Sequence, residues 1–385
     1  MYYVAGLKSK NEYAEFLQGK TTGKDIVIDG ISFDSRTVKK NQLFVPLEGK
    51  SFSGFSFIDE AIKKGAVVLS NKCHSKNCIQ VEDVYSSLVL LCQKHIEELG
   101  VKLILITGSY GKTTIKDMLR HSIGSACHTN KLNENNEFGI PFTILSCDAH
   151  SDYLVVECGA RNVGDFDLLA EHLKSDVFIL TDVAAVHLET FKTIENIEKT
   201  KLKLKKTLKE KSIFIDGRQL NYLNYQEKNN HIVESVINKL NISKEREINS
   251  YQPSQGRGKI IKTMGGSIID QTYNSSPSTL IATLIPYSNK NTSLILGDMA
   301  ELGDSELDEH IKVLDHFHDY KVWVTGPIFK QAIAKTKSKN VNYFENEHEF
   351  PRAAFRLLLQ NNENLYFKGS RSSKMERFIE LLLND

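Results

Sequence analysis

Hydrophobic residues along this chain gather in short runs rich in β-branched side chains. Between them lie longer stretches in which apolar positions recur every three or four residues. That is the pattern of buried strands alternating with amphipathic helices, and it predicts an α/β protein. Val101 to Ile106, Tyr153 to Gly159 and Asp176 to Asp182 read as strands of a doubly wound parallel sheet. The first runs into a helical pattern through Ile115, Met118, Leu119 and Ile123, stopped by Gly124. Upstream, Ile26 to Ile28 and Ile31 to Phe33 are strand candidates around Asp29-Gly30, and Leu43 to Leu47 follows. Phe57 to Lys64 has helical spacing and ends at Gly65, with a strand, Ala66 to Leu69, behind it. Asn130 to Pro141 is a polar turn cluster closed by Gly139 and Pro141, and Glu195 to Lys211 is a lysine-rich helical pattern.

The last part of the chain repeats the alternation. Strands are predicted at Ser267 to Asp270, Thr292 to Asp298, Lys321 to Gly326 and Asn364 to Arg371, with a helix after Pro277. An amphipathic helix, Met375 to Leu383, closes the chain, so this is a second, Rossmann-like unit. Glu363 to Ser370 resembles a protease-tag scar with lysine in place of glutamine, but the apolar helix beyond it makes it part of the fold. At 385 residues the chain exceeds one ordinary core. The expected units are residues 1–97, 98–254 and 255–385, with hinges near 97 and 254.

Chemistry enters where the first central strand ends. Gly108 to Gly111 forms a glycine turn, and Lys112-Thr113-Thr114 opens the helix. Strand, glycine loop and helix N-terminus make a phosphate cradle: backbone N–H groups and the helix dipole face the anion. The lysine reaches the outer phosphates, and the Thr113 hydroxyl can hold Mg²⁺. The first glycine sits three residues before the second, which departs from the usual G-x-x-x-x-G-K-[ST] spacing; the strand-before and helix-after context identifies the site. Gly108, Ser109, Gly111, Lys112, Thr113 and Thr114 are the nucleotide-binding candidates. In a doubly wound sheet ligands collect at the C-terminal strand edges, so Glu157 and His187 are expected to converge on the same crevice. Mg²⁺ needs oxygen ligands, and Glu157 is the candidate carboxylate, with His187 as ligand or supporting group. Taken alone, a strand-end glutamate is usually a cap or ion-pair partner and a lone histidine usually structural. Likewise the run Lys199, Lys201, Lys203, Lys205 and Lys206 reads as a solvated helix face, and Asp34-Ser35-Arg36 as a turn with a surface ion pair.

Composition narrows the classes. Lys and Arg total 49 against 48 Asp and Glu, so no net field points to nucleic acid. Cysteines at 73, 78, 92, 127, 147 and 158 contain no C-x-x-C pair, as expected for reduced thiols in a cytoplasmic protein. No long apolar run predicts secretion or a membrane span.

The motifs in their order resemble a Mur ligase, most closely of the MurF type. They are Asp34-Ser-Arg36 with Gln42-Leu-Phe-Val-Pro-Leu-Glu-Gly49, Thr107-Gly-Ser-Tyr-Gly-Lys-Thr-Thr114, Asn135-Asn136…Gly139-Ile-Pro141, Glu157-Cys-Gly-Ala160 and His187-Leu-Glu-Thr-Phe191. Tyr273-Asn274…Pro277, Leu296-Gly-Asp-Met-Ala-Glu-Leu-Gly303 and Lys368-Gly-Ser-Arg371 follow, and the last two favour MurF over its siblings. The resemblance implies three domains and an ATP- and Mg²⁺-dependent amide ligase of peptidoglycan precursor synthesis, acting as a monomer on small-molecule substrates. A UDP-muramoyl peptide carboxylate would be phosphorylated to an acyl phosphate, which D-alanyl-D-alanine then attacks. It implies Lys112, Glu157, His187 and Lys201 in catalysis, and Thr113, Glu157, His187 and Lys201 around the metal. Lys201, fourteen residues after His187, would be carbamylated. Asn136, Arg257, Tyr273 and Asn274 would meet the nucleotide, and Asp34, Ser35, Arg36, Asp298, Lys368, Ser370 and Arg371 the other substrates.

Four departures stand out. Tyr110 replaces a small or amide residue of the phosphate loop, so its ring is expected to point away from the phosphates. Ser53-Gly-Phe55 replaces D-G-H. Asn230 to Ser235 stands at an H-N-x-x-N region, of which one asparagine contacts adenine, with both asparagines absent. About 70 residues separate Lys201 from Asp270, fewer than the family has, as if an excursion of the middle domain were lost. These leave two alternatives: a ligase of this type recruited to another carboxylate and amine, and a non-catalytic nucleotide-binding relative. Retention of Lys112, Glu157, His187 and Lys201 argues against the second.

Overall fold

The computed structural model describes residues 2–49, 52–72, 74, 76–131, 134–222, 224–288 and 291–384, and the statements below concern these. Cys73, and Leu132 and Asn133 of the polar cluster, lie outside them.

The first sheet is built from very short strands: β1 (Lys20–Thr22), β2 (Ile31–Ser32), β3 (Leu43–Phe44), a separate hairpin of β4 (Glu48–Gly49) and β5 (Phe52–Ser53), then β6 (Val67–Ser70) and β7 (Cys78–Gln80). Its order is β1-β7-β6-β3-β2, parallel except where β1 meets β7. Two expected strands shrink. Ile26 to Ile28 becomes a single bridge at Val27, because the Ile26 carbonyl and Ile28 N–H pair with Lys10 and Lys8 at the start of the first helix. Leu43 to Leu47 stops at Phe44, since Pro46 has no N–H for a ladder.

The central sheet comprises β8 (Lys102–Thr107), β9 (Cys127–Thr129), β10 (Tyr153–Glu157), β11 (Ser175–Leu180) and β12 (Leu208–Asp216) in the order β12-β11-β8-β10-β9, all parallel. Strand β8 is covered on both faces. Leu103 and Leu105 enter a core continuous with the first unit, and Ile104 and Ile106 enter another with helices Lys112–Ile123 and Tyr225–Lys239. Glu157 pairs with Ile106 and Leu180 with Thr107, so the C-terminal ends of three central strands share one edge.

Two boundaries correct the pattern reading. Gly139 and Pro141 open a helix, Gly139–Leu145, instead of closing a turn; Pro141 sits in its first turn, where no donor is needed. The lysine-rich segment is helical only over Ile194–Leu202. It passes through a 3-10 turn, Lys203–Thr207, into β12. As an edge strand β12 displays lysines outward, which periodicity could not separate from a solvated helix face.

The third sheet contains β13 (Lys259–Thr263), β14 (Gly266–Gln271), β15 (Thr292–Gly297), β16 (Lys321–Thr325), β17 (Val341–Tyr343) and β18 (Asn364–Lys368) in the order β13-β14-β18-β15-β16-β17. Only β13 is antiparallel. Leu365, Tyr366 and Phe367 are fully buried between β14 and β15, so the tag-like segment is a core strand. No helix among the described residues is long and apolar enough to cross a membrane, and Cys78, Cys92, Cys127, Cys147 and Cys158 are buried.

Candidate active site

Strand β8 delivers the chain to Gly108, whose φ of +150° is left-handed territory. A Cβ there would come within 1.9 Å of Thr181 Oγ1, so only glycine fits. The loop is stitched to the segment leaving β11. Ser109 N–H donates to the Asp182 carbonyl (2.9 Å), Ser109 Oγ exchanges bonds with the Ala184 backbone, and Thr181 Oγ1 donates to the Tyr110 carbonyl (2.5 Å). Gly111, at φ +82°, then starts helix Lys112–Ile123, leaving the first-turn N–H groups, Thr114's among them, at the cradle. The Tyr110 hydroxyl donates to Asp182 Oδ2 (2.5 Å), which also accepts Lys228 Nζ (2.8 Å). The ring therefore leans toward the end of β11.

Two lysines meet behind this loop. Lys112 Nζ donates to the Gly108 carbonyl at 2.7 Å and Lys201 Nζ to the same oxygen at 3.0 Å. Lys201 is 2% exposed, whereas Lys199, Lys205 and Lys206 are exposed, which separates it from the solvated run. Burial, reinforced by the Lys112 charge, holds the Lys201 amine well below the ordinary lysine value. Burial also lowers Lys112; Glu157 opposes the shift and Arg257 adds to it.

Glu157 ends β10 with 3% exposure. Its Oε2 accepts Thr113 Oγ1 at 2.7 Å and its Oε1 accepts Asn135 Nδ2 at 2.8 Å. Asn130 clamps the Glu157 backbone on both sides, through N–H to Oδ1 (2.6 Å) and Nδ2 to the carbonyl (3.2 Å). The asparagine at the carboxylate is thus Asn135. Asn136, the expected nucleotide contact, instead accepts Gly139 N–H at 2.9 Å and starts the next helix. A buried carboxylate against the phosphate-loop hydroxyl is a hard-oxygen donor set that suits Mg²⁺.

His187 caps the start of the short helix Leu188–Phe191. Its Nδ1 donates to Glu301 Oε2 at 2.5 Å, across the boundary to the third unit. Among the described residues no three His, Cys, Asp or Glu side chains cluster as a metal site.

From the third unit, Arg257 lies over the Tyr273 ring, its Cζ 3.7 Å from the centroid. Sequence reasoning missed the group that sets this turn. Buried Asp270 accepts Gly256 N–H (2.8 Å), Thr272 N–H (3.2 Å) and Thr272 Oγ1 (2.6 Å). Lys368, 3% exposed at the end of β18, donates to the Asn274 carbonyl at 2.9 Å. Burial, with Arg257 nearby, pushes its amine down to about 7. Asp298, an expected substrate contact, is engaged within the third unit. Its carboxylate accepts the N–H groups of Ile328 (3.1 Å) and Phe329 (2.9 Å) at the start of helix Pro327–Ile333. Its carbonyl takes Ser370 N–H and Ser373 Oγ, which ties the L-G-D-M and K-G-S-R segments together. Ser370 is buried among Ser372 and Ser373, and Arg371 is exposed and paired with Glu376.

In the first unit, Arg36 grips Asp34 through Nε (2.9 Å) and Nη2 (2.7 Å), which holds the Asp34 carboxyl down at about 2. Ser35 Oγ donates to Glu60 (3.1 Å). Asp34 borders a cavity of about 500 Å³ walled by Tyr2, Phe33, Phe52, Phe138 and Phe142. The last two belong to the central unit.

Helix Tyr225–Lys239 corrects the H-N-x-x-N assignment. Asn229, not the Asn230 to Ser235 stretch, faces the phosphate loop; its Oδ1 lies 3.4 Å from where a Gly111 Cβ would be. Asn229 is 5% exposed and its Nδ2 has no partner among the described residues. Gln226-Glu-Lys-Asn229 has the required spacing, with glutamine at the first asparagine position.

The family model described as the Mur ligase middle domain matches residues 106–274, and the Mur ligase family catalytic domain matches residues 27–108. The chain belongs to the Mur ligase family. This Mur ligase is 26% identical to UDP-N-acetylmuramoyl-tripeptide–D-alanyl-D-alanine ligase of Bacillus subtilis over 446 residues, covering 96% of this chain and 97% of the relative. The enzyme of that name from Haemophilus influenzae is 23% identical, with 96% of each chain covered. Because 385 residues extend over 446 aligned positions in the first case, that relative carries insertions absent here. Among solved structures, MurF from Acinetobacter baumannii matches with a TM-score of 0.80 at 19% identity, covering 100% of this chain and 99% of that one. MurF ligase from Thermotoga maritima, solved in complex with ADP, gives 0.77 at 23% identity, covering 91% and 96%. These likenesses establish the three-domain Mur ligase architecture.

Proposed function

We propose that this Mur ligase joins D-alanyl-D-alanine to UDP-N-acetylmuramoyl-tripeptide at the cost of ATP, forming ADP and phosphate in peptidoglycan precursor synthesis. The observation that carries the reading is the Thr113–Glu157 pair beside Lys112 at the end of β8, the arrangement needed to hold a nucleoside triphosphate and its cation. Residues 1–97 hold the UDP-sugar end, with Asp34 at the aromatic cavity. Residues 98–254 hold ATP, with Asn229 directed at the nucleotide, and residues 255–385 supply Arg257, Tyr273 and Asn274 to the nucleotide and Lys368 to the acceptor side.

The tripeptide carboxylate attacks the γ-phosphorus, and Lys112 offsets charge on the transferring group. The dipeptide amine then attacks the acyl phosphate, and phosphate leaves from the tetrahedral intermediate. Mg²⁺ held by Thr113 and Glu157 supplies charge neutralisation at the phosphates when bound. Burial lowers the Lys201 amine well below the ordinary lysine value, in the direction that carbamylation requires; addition of CO₂ and loss of a proton would place a carboxylate next to Lys112, suited to a second Mg²⁺. The enzyme works as a monomer in the cytoplasm, where its nucleotide substrates are.

The test of this route is isotopic. With ¹⁸O in the tripeptide carboxylate, one labelled oxygen is expected in the released phosphate. Unlabelled phosphate alongside amide product would exclude the acyl phosphate.

A further inference from the structure

Glu301 enters the site only as the partner of His187. It lies in the loop after β15 at φ +63°, and its partner His187 has φ +51°. Left-handed backbone at two bulky non-glycine residues is uncommon and is retained where the surroundings demand it. The two side chains meet through His187 Nδ1 and Glu301 Oε2, at 2.5 Å. Contacts around them are also between units. A Cβ on Gly303 would lie 3.6 Å from Glu189 Cα, and the charge of Arg161, whose carbonyl accepts Thr190 Oγ1, acts on Glu301. A second bridge, Gln271 Nε2 to the Tyr225 hydroxyl at 3.1 Å, joins the same two units on the nucleotide side.

A carboxylate on Nδ1 fixes the imidazole tautomer: Nδ1 keeps the hydrogen, and Nε2, across the ring, presents its lone pair. We propose that Glu301 is a positioning residue that sets the His187 ring for cation binding only while the third unit is seated on the central one. Docking of the unit that brings the acceptor would thereby be coupled to completion of the phosphate-side site. This rests on the ATP-site reading above and adds its regulation.

The experiment uses the full chain with Glu301→Ala and Glu301→Gln, the latter keeping an acceptor oxygen. Ring ¹⁵N NMR of the substrate-free protein is expected to show the Nδ1–H tautomer of His187 in wild type and in Glu301→Gln, and its loss in Glu301→Ala. In turnover, Glu301→Ala is expected to lower kcat by about 10- to 100-fold and to raise the Mg²⁺ concentration for half-activity. Its KM for ATP and thermal midpoint should stay unchanged, and Glu301→Gln should retain most of kcat. An unchanged tautomer or wild-type kcat in Glu301→Ala overturns the proposal. So does a Glu301→Gln defect as large as that of alanine, or a lowered thermal midpoint, since either makes the contact a charge or stability element. The ring measurement needs no substrate, so a wild type inactive on the peptides would count against the ligase reading and leave this inference to be judged by the spectrum.

Discussion

Replacing Thr113 by valine removes one hydroxyl and keeps the shape of the side chain, so no cavity opens. What is lost is the 2.7 Å hydrogen bond to Glu157 Oε2, in a site where the threonine is 9% and the glutamate 3% exposed. Asn135 still serves Oε1, but Oε2 remains buried without this donor. A hydrogen bond to a charged group contributes about 1.5–3 kcal/mol. At about 2–4 °C per kcal/mol for a domain of this size, the melting transition of the central unit should fall by roughly 3–12 °C in chelator. A second effect separates ligand binding from structure. Wild type at a Mg²⁺–nucleotide concentration about 100-fold above Kd gains about 2.7 kcal/mol, and the variant should lose the Mg²⁺-dependent share of that gain. Calorimetry with and without Mg²⁺ reads both. A variant that melts with wild type in chelator, or gains equally from Mg²⁺–nucleotide, would refute the pairing and its cation role.

Other substitutions probe single groups. Lys112→Ala should abolish ATP turnover with an unchanged circular dichroism spectrum; turnover at the wild-type rate would remove the phosphate-loop assignment. Lys201→Ala should be inactive and partly rescued by formate or acetate standing in for the carbamate, whereas wild-type activity would return Lys201 to a packing role. Lys368 has a folded-state value of about 7 against 10.5 for an ordinary lysine, so the unfolded chain binds a proton that the folded chain lacks between those limits. Its cost to stability is full below about pH 7 and disappears as pH rises to 10.5. Lys368→Met should therefore be more stable than wild type at neutral pH by urea denaturation, with the gap closing by pH 10, and a pH-independent gap would contradict the buried-amine account.

The parts legible in sequence were those with one physical solution. Strands β8, β10 and β11 are apolar on both faces, and only a central parallel strand buries both. A glycine pair between such a strand and a helix beginning Lys-Thr has few uses besides a phosphate. The rest turned on geometry that residue type does not encode. Asn135 and Asn136 are neighbours of one chemistry, and only the turn decides which reaches Glu157 and which caps a helix. Asp298 looked like a free carboxylate in a motif, yet the start of helix Pro327–Ile333 takes it. Asn229 was hidden by a register choice a few residues off, and Glu301 by its distance from His187 along the chain. Lys201 stood among lysines of equal appearance, and only the family resemblance, which implies a lysine fourteen residues after His187, picked it out before its burial did.

The central claim is tested most directly by phosphate release from Mg²⁺–ATP with UDP-N-acetylmuramoyl-tripeptide and D-alanyl-D-alanine, each omitted in turn. The account predicts sustained release only when both are present, one phosphate per amide formed. No release with the complete set, while ATP still binds, would contradict it.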